Sequence, residues 1–378
     1  MNILFFYSYF IFGFLSLSIS KLVPIQIYPM LGAYQATIYI GNPKQLVLCD
    51  IDLEKDYTLV TNFFFKNNSD TLIFYNNETI SIKDNPQKVQ KLSDTFHLIK
   101  GSIETNVSGL YFYHLTDSSS LFIIDNTISF SFKYRNKEFS LIHNLYTNKQ
   151  IDHLSFYLSS TEMYIGGIPE NDIFKSIYNV SLPVNNNNKY SNYTTWGITL
   201  NGIFFDNNTS IKYINNGYAF LRVRSQSIYA PSSFMKFMNQ SVFDKMIQSG
   251  YCSYSKEGMK EYTYKCNCKI LEDFPVFNFV IDGYIFQMSK YDLFEYETMV
   301  CYFKMKENIN NEWILGTAFT SRYTLFFDYE KESITFFNEN PFLPFNLNAS
   351  TLRTIFIILS SFLSISSIYL LLCLFISN

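Results

Sequence analysis

The chain has 378 residues, enough for two lobes with sizeable cores. Hydrophobic residues make up 48% and aromatics 19%, with 30 Tyr and 39 Phe, so a packed, strand-rich protein is expected and a disordered one is excluded. A formal charge of −3 leaves no electrostatic footprint for nucleic acid, which removes that class of partner.

Residues 1–20 are an apolar run ending in Ser16, Ser18 and Ser20 before Lys21. They read as a secretory signal peptide; the lack of Lys or Arg ahead of the run leaves an uncleaved signal anchor as the competing reading. Ala33–Ile40 (AYQATIYI) alternates and is rich in β-formers, so it is expected as a strand. Gly41-Asn42-Pro43 marks a turn, and Gln45 opens a second strand running to Cys49. Further on, Asp282-Gly283 after the apolar run Phe277–Ile281 predicts a hairpin turn. Residues 355–376 carry no charge and, at ~1.5 Å per residue, reach across a bilayer as a helix. No basic flank follows them, and Asn348-Ala349-Ser350 supplies the small residues of a lipid-anchor attachment site. A spanning helix and a GPI-attachment tail both stay open, with 341–354 as a short stalk.

Asn-x-Ser/Thr sequons at Asn67, Asn77, Asn106, Asn179, Asn192, Asn207, Asn208, Asn239 and Asn348 agree with a secreted glycoprotein. Cys373 lies in the apolar tail and Cys49 in a buried strand, so both are expected unpaired. Cys252, Cys266, Cys268 and Cys301 cluster in the last third, where an oxidising compartment would make two disulfides of them. A zinc site is the alternative, weakened by Cys266-x-Cys268, which is tighter than the usual ligand spacing. His97, His114, His143 and His153 show no ligand spacing, so no metal and no cofactor are expected.

Several segments resemble those of one family. Tyr34-x-x-x-Ile38-x-Ile40-Gly41-x-Pro43-x-Gln45 is similar to the opening hairpin of the pepsin-like aspartic proteases. Phe156–Ser160, Met163–Ile168, Leu182-Pro183-Val184, Trp196–Leu200 and Trp313–Phe319 continue the likeness through Phe326-Phe327-Asp328. The resemblance covers about Tyr34 to Phe337. It implies an all-β, bilobal acid-protease fold with pseudo-two-fold symmetry: an N-terminal lobe over 21–182, a C-terminal lobe over 183–340, then the hydrophobic membrane segment. It implies Cys268–Cys301 as the disulfide of the second lobe, with Cys252–Cys266 as an added bridge. A flap would fall at Lys100-Gly101-Ser102, with Leu98 in the place of the family's Tyr, and the segment Asp125–Phe132 would be buried.

In this family the first catalytic Asp comes seven residues after the Gln, which is Asp52; the D-T-G-S motif has become Asp52-Leu53-Glu54-Lys55. Ala219–Pro231 (AFLRVRSQSIYAP) is similar to the second active-site segment, with Arg222 in the place of the second catalytic Asp and Arg224 in the place of a Gly. Hydrolysis of this type needs two carboxylates sharing a proton, one acting as base on water and one as acid to the carbonyl. Arg222 stays protonated at any working pH and can do neither. The pseudo-symmetry predicts ion pairs Asp52–Arg222 and Glu54–Arg224 across the lobes, with Leu53 against Val223. Only about a dozen residues separate Ser20 from Tyr34, too few for the folded pro-segment that active relatives usually carry. The expected function is that of a pseudoprotease in the secretory pathway, anchored to a membrane through its C-terminal segment, binding a peptide or protein in the inter-lobe cleft. The alternatives are an acid endopeptidase using Asp52 with a second acid elsewhere, such as Asp206, and an inhibitor or decoy that captures substrates.

Overall fold

The structure is a computed structural model. It describes residues 21–30, 32–61, 65–82, 85–115, 126–170, 178–185, 195–205, 208–254, 264–308, 310 and 312–345. The expected signal peptide (1–20), most of the stalk, the apolar tail (355–376), Asp206 and Cys373 therefore lie outside the described residues. Among the described residues, no helix is long and apolar enough to cross a membrane.

The first part of the chain runs β1 (Val23–Met30), β2 (Ala33–Ile40), β3 (Gln45–Asp52), β4 (Leu59–Thr61), β5 (Ile73–Ile82), β6 (Asn85–Lys100), β7 (Ile103–Leu115) and β8 (Thr127–Ser129). Helix α1 (Leu141–Thr147) follows, then β9 (Ser155–Leu158), β10 (Glu162–Ile165) and β11 (Tyr178–Pro183). The second part runs β12 (Gly197–Phe205), β13 (Asn208–Leu221), β14 (Ile228–Pro231), α2 (Ser232–Met238), β15 (Cys252–Tyr254), β16 (Tyr264–Asn267), β17 (Phe277–Ile281) and β18 (Tyr284–Met288). It closes with β19 (Phe294–Glu297), β20 (Val300–Phe303), β21 (Met305–Asn308), β22 (Trp313–Leu315), β23 (Thr324–Asp328), β24 (Ser333–Asn338) and β25 (Leu343–Pro344).

Local pattern accounts for many of these elements. In β2 the alternate residues Tyr34, Ala36, Ile38 and Ile40 are buried, as a pleated strand with one face on the core requires. The turn between β17 and β18 holds Asp282 at φ +45° and Gly283 at φ +81°, the doubly left-handed geometry that a two-residue hairpin favours. Strand β17 is buried along its whole length because β12 and β18 flank it. Helix α1 is capped by Ser140, whose Oγ accepts from the backbone N–H of His143 at 3.3 Å.

Among the described residues the strands form three sheets. Thirteen strands in the order β11-β24-β23-β9-β10-β1-β2-β3-β8-β4-β7-β6-β5 make the largest, eight in the order β21-β14-β22-β13-β12-β17-β18-β25 the second, and β15-β16-β20-β19 a small third. The largest sheet takes β23 and β24 from the end of the chain and pairs them with β9 and β11. One hydrophobic core runs through both parts. At their junction Trp196 packs edge-on against Phe327, Phe327 stacks on Phe156 at 4.3 Å, and the Trp196 indole donates to the Phe130 carbonyl at 2.9 Å.

The third sheet carries the Cys252–Cys266 disulfide, and Cys301 of β20 is bridged to Cys268, just past the end of β16. Cys252 sits directly opposite Cys266, and Cys266 opposite Cys301. Cys49 is buried and unpaired in β3.

Candidate functional site

The two loops expected to carry catalytic groups emerge from the same strand arrangement, once in each part. Strand β3 runs parallel to β8, β4 pairs antiparallel to β8 at Leu59, and β4 runs parallel to β7. Strand β13 runs parallel to β22, β14 pairs antiparallel to β22 at Tyr229, and β14 runs parallel to β21. Thr127 of β8 opposes both Asp50 and Leu59; Ile314 of β22 opposes both Phe220 and Tyr229. The registers superpose Asp50 on Phe220 and Leu59 on Tyr229. Two residues on, Asp52 corresponds to Arg222 and Glu54 to Arg224.

Asp52 is fully buried. Its Oδ1 turns back onto its own loop and accepts the backbone N–H of Glu54 at 2.8 Å and of Lys55 at 3.0 Å. Its Oδ2 lies 3.4 Å from Arg224 Nη1 and 3.9 Å from Lys55 Nζ, contacts of charge that are not aligned as hydrogen bonds. Glu54 receives Arg222 in a two-pronged grip, Nε to Oε1 and Nη2 to Oε2, the latter at 3.0 Å. Arg224 Nη2 lies 3.8 Å from the same Oε2.

This corrects the expected pairing. The Asp52–Arg222 pair is not formed, since Asp52 has Arg224 and Lys55 as its ion partners. The Glu54–Arg224 contact exists but is longer than the Glu54–Arg222 contact. Side-chain reach explains the exchange. The short Asp52, engaged by its own loop, is reached by Arg224, whereas the extra methylene of Glu54 allows a bidentate meeting with the Arg222 guanidinium. Leu53 and Val223 are both buried in the common core, and the Val223 carbonyl accepts Tyr34 N at 3.0 Å, tying β2 to the Arg loop.

Other groups complete the surroundings. The Arg222 guanidinium lies 5.6 Å from the Tyr229 ring, which Lys306 approaches from 5.8 Å. Burial raises the Glu312 carboxyl above its ordinary range, and Arg222 partly offsets this. Burial, aided by the Asp52 charge, pushes the Tyr57 phenol up to about 12. Thr317, standing where the family has Asp, donates its Oγ1 to the Gly32 carbonyl at 2.6 Å. Tyr229, Glu312 and Lys304 were not anticipated from sequence. The signal for the lysine was its alternation with Lys306 between and along two short strands. Among the described residues no group of three or more His, Cys, Asp and Glu side chains is placed to hold a metal ion.

The expected flap turn at Lys100-Gly101-Ser102 is also corrected. Leu98 is buried, and Lys100 Nζ is engaged by Glu162 at 2.9 Å and by the Tyr164 hydroxyl at 3.0 Å, so this turn is pinned to β10. The hairpin that leans toward the Asp52 loop is β5–β6, where the Ser81 carbonyl accepts from Tyr57 Oη at 3.5 Å.

A mostly-β molecule with a duplicated strand–loop–strand unit facing across two lobes is the acid-protease architecture. The eukaryotic aspartyl protease family model matches residues 109–338, and the chain belongs to this family. Asp52 and the opening hairpin lie before the matched range. Among solved structures it is similar to an aspartic proteinase from Irpex lacteus (12% identity, TM-score 0.67), covering 86% of this chain and 99% of that one. It is also similar to conglutin gamma, a basic 7S globulin from lupine seeds (14%, 0.66, covering 85% and 95%), and to basic 7S globulin from soybean (13%, 0.67, covering 84% and 94%). No curated protein sequence matches it.

Proposed function

We propose that this chain is a catalytically inert member of the family that binds a peptide or protein segment between its lobes. The observation that supports this most is the position symmetric to Asp52, which holds Arg222 rather than a carboxylate. Asp52 itself is engaged by two backbone N–H groups and faces Arg224. Asp52 meets guanidinium charge where a proton-sharing dyad would have a second carboxyl, and among the described residues no second carboxyl is paired with it. The four charges act instead as a bridge between the lobes, which fixes their relation more than it adds stability. That globulins adopt the same fold supports a role without proteolysis. The two disulfides and the family favour the secretory pathway, and the uncharged run 355–376 favours attachment to a membrane with the body outside the cytosol.

The test is incubation of the full-length chain with a mixed peptide pool across about pH 3 to 7, with Asp52→Asn alongside. Neither protein should cleave. Cleavage that disappears in Asp52→Asn would restore the endopeptidase reading and require a second acid.

A further inference from the structure

A cavity of about 200 Å³ opens between the lobes beside the charged quartet. Gly32 and Tyr34 line it from the first part of the chain, and Gln226, Lys304, Thr317 and Ser321 from the second. Its closeness to the quartet follows from the chain. Tyr34 is bonded to Val223, between the two arginines, and Gln226 follows Arg224 by two residues. Lys304 is the one charged residue among the described residues lining it.

The lining polar groups are unequally engaged. Thr317 donates to Gly32, and Ser321 donates its Oγ to the Thr317 carbonyl at 2.5 Å. Lys304 has three donors, and its ammonium is given one acceptor, the Asp292 carbonyl at 3.2 Å. The Asp292 carboxylate is turned onto the N–H and hydroxyl of Ser289 rather than onto the ammonium. Burial accordingly pulls the Lys304 amine below its ordinary pKa, with Glu295 and Asp292 opposing from a distance. A half-buried cation in a wall of neutral groups has only these more distant carboxylates as counter-charge, and a ligand can bring a close one. The single cation and the small volume suit a singly charged carboxylate better than a doubly charged phosphate.

We propose that this cavity accepts the carboxylate side chain of an extended peptide, with Lys304 as its counter-ion. The proposal rests on the peptide-binding reading above and adds to it the class of ligand. Lys304 sets the preference, while the quartet next to it stays closed on itself.

The experiment uses the full-length chain and two sets of short fluorescent peptides of Ala, Ser and Tyr. One set carries a single Glu at a scanned position, the other a Gln in its place. Fluorescence polarisation should show Glu binding roughly tenfold tighter than Gln at one position. Lys304→Gln should abolish that difference and Lys304→Arg should keep it. Equal binding of the two sets by the unaltered chain, or a Glu preference that survives Lys304→Gln, overturns the inference. If neither set binds, the peptide reading fails, and the carboxylate site is judged on N-acetylglutamate alone by ligand-observed NMR. Saturable binding lost in Lys304→Gln upholds it; no binding overturns it.

Discussion

At the scale of single residues, Asp52 is held by its own loop and meets charge from the facing one. The Gly of the family motif is replaced by Glu54, whose side chain adds an anion where a close backbone approach is expected. The arginines then supply the cations that the two acids contact. His114 makes a different point about pH. It is buried in β7 with the edge of Phe65 against it, and burial pushes its pKa down to about 4. An unfolded His binds its proton near pH ~6.5, so between these values the unfolded state carries more protons than the folded one. Stability is therefore complete above pH ~6.5 and falls as pH drops toward 4, by about 2 kcal/mol from this residue at pH ~5. His143, half-buried and lowered to about 4, works in the same direction with a smaller share. Urea midpoints measured at neutral pH and near pH 5 should fall less for His114→Phe than for the unaltered chain. An equal fall in both proteins would show that His114 titrates normally.

At the scale of elements, close approach decides more than hydrophobicity does. Gly316 sits between β22 and the short helix Thr317–Thr320, where an added Cβ would meet the Ser227 carbonyl oxygen at 2.1 Å and that of Ser225 at 2.5 Å. These are backbone atoms of the Arg222 loop and cannot swing aside. Gly316→Ala is expected to cost more than ~3 kcal/mol or prevent folding. Gly101 is the contrast, with a left-handed φ of +60° but open space around it. Gly101→Ala should cost only ~1 kcal/mol. Thermal unfolding of the pair would distinguish packing from backbone freedom, and similar losses in both would sink the argument. Elements were legible in the sequence where their signal is local. The strand at Ala33–Ile40, the turn to Gln45 and the Asp282-Gly283 hairpin rest on alternation and turn residues a few positions apart. The long β5–β6–β7 meander was not legible. Its connection at 101–102 carries the Gly that suggested a flap, while the arm nearer Asp52 has no glycine to announce it.

At the scale of the whole molecule, the lobes are interleaved rather than joined end to end. Strands β23 and β24 cross back to lie beside β9 and β11, and Trp196 of the second part bonds to Phe130 of the first. A fragment of residues 21–182 would lack both strands and expose Phe156, whose stacking partner Phe327 lies outside it. It should fail to give dispersed amide NMR signals alone and recover them with 183–345 added. A well-dispersed spectrum for the fragment by itself would contradict this view of the sheet.

The sequence by itself determined the family likeness, the strand-rich architecture and the presence of Arg222 where the resemblance expects a second acid, because each is written in residue types at fixed spacing. Only the tertiary structure decided which guanidinium meets which carboxylate, which hairpin leans over the charged loops and that Lys304 faces a cavity without an anion in its described walls. Those outcomes depend on side-chain reach and on contacts between strands hundreds of residues apart, and no local pattern encodes them.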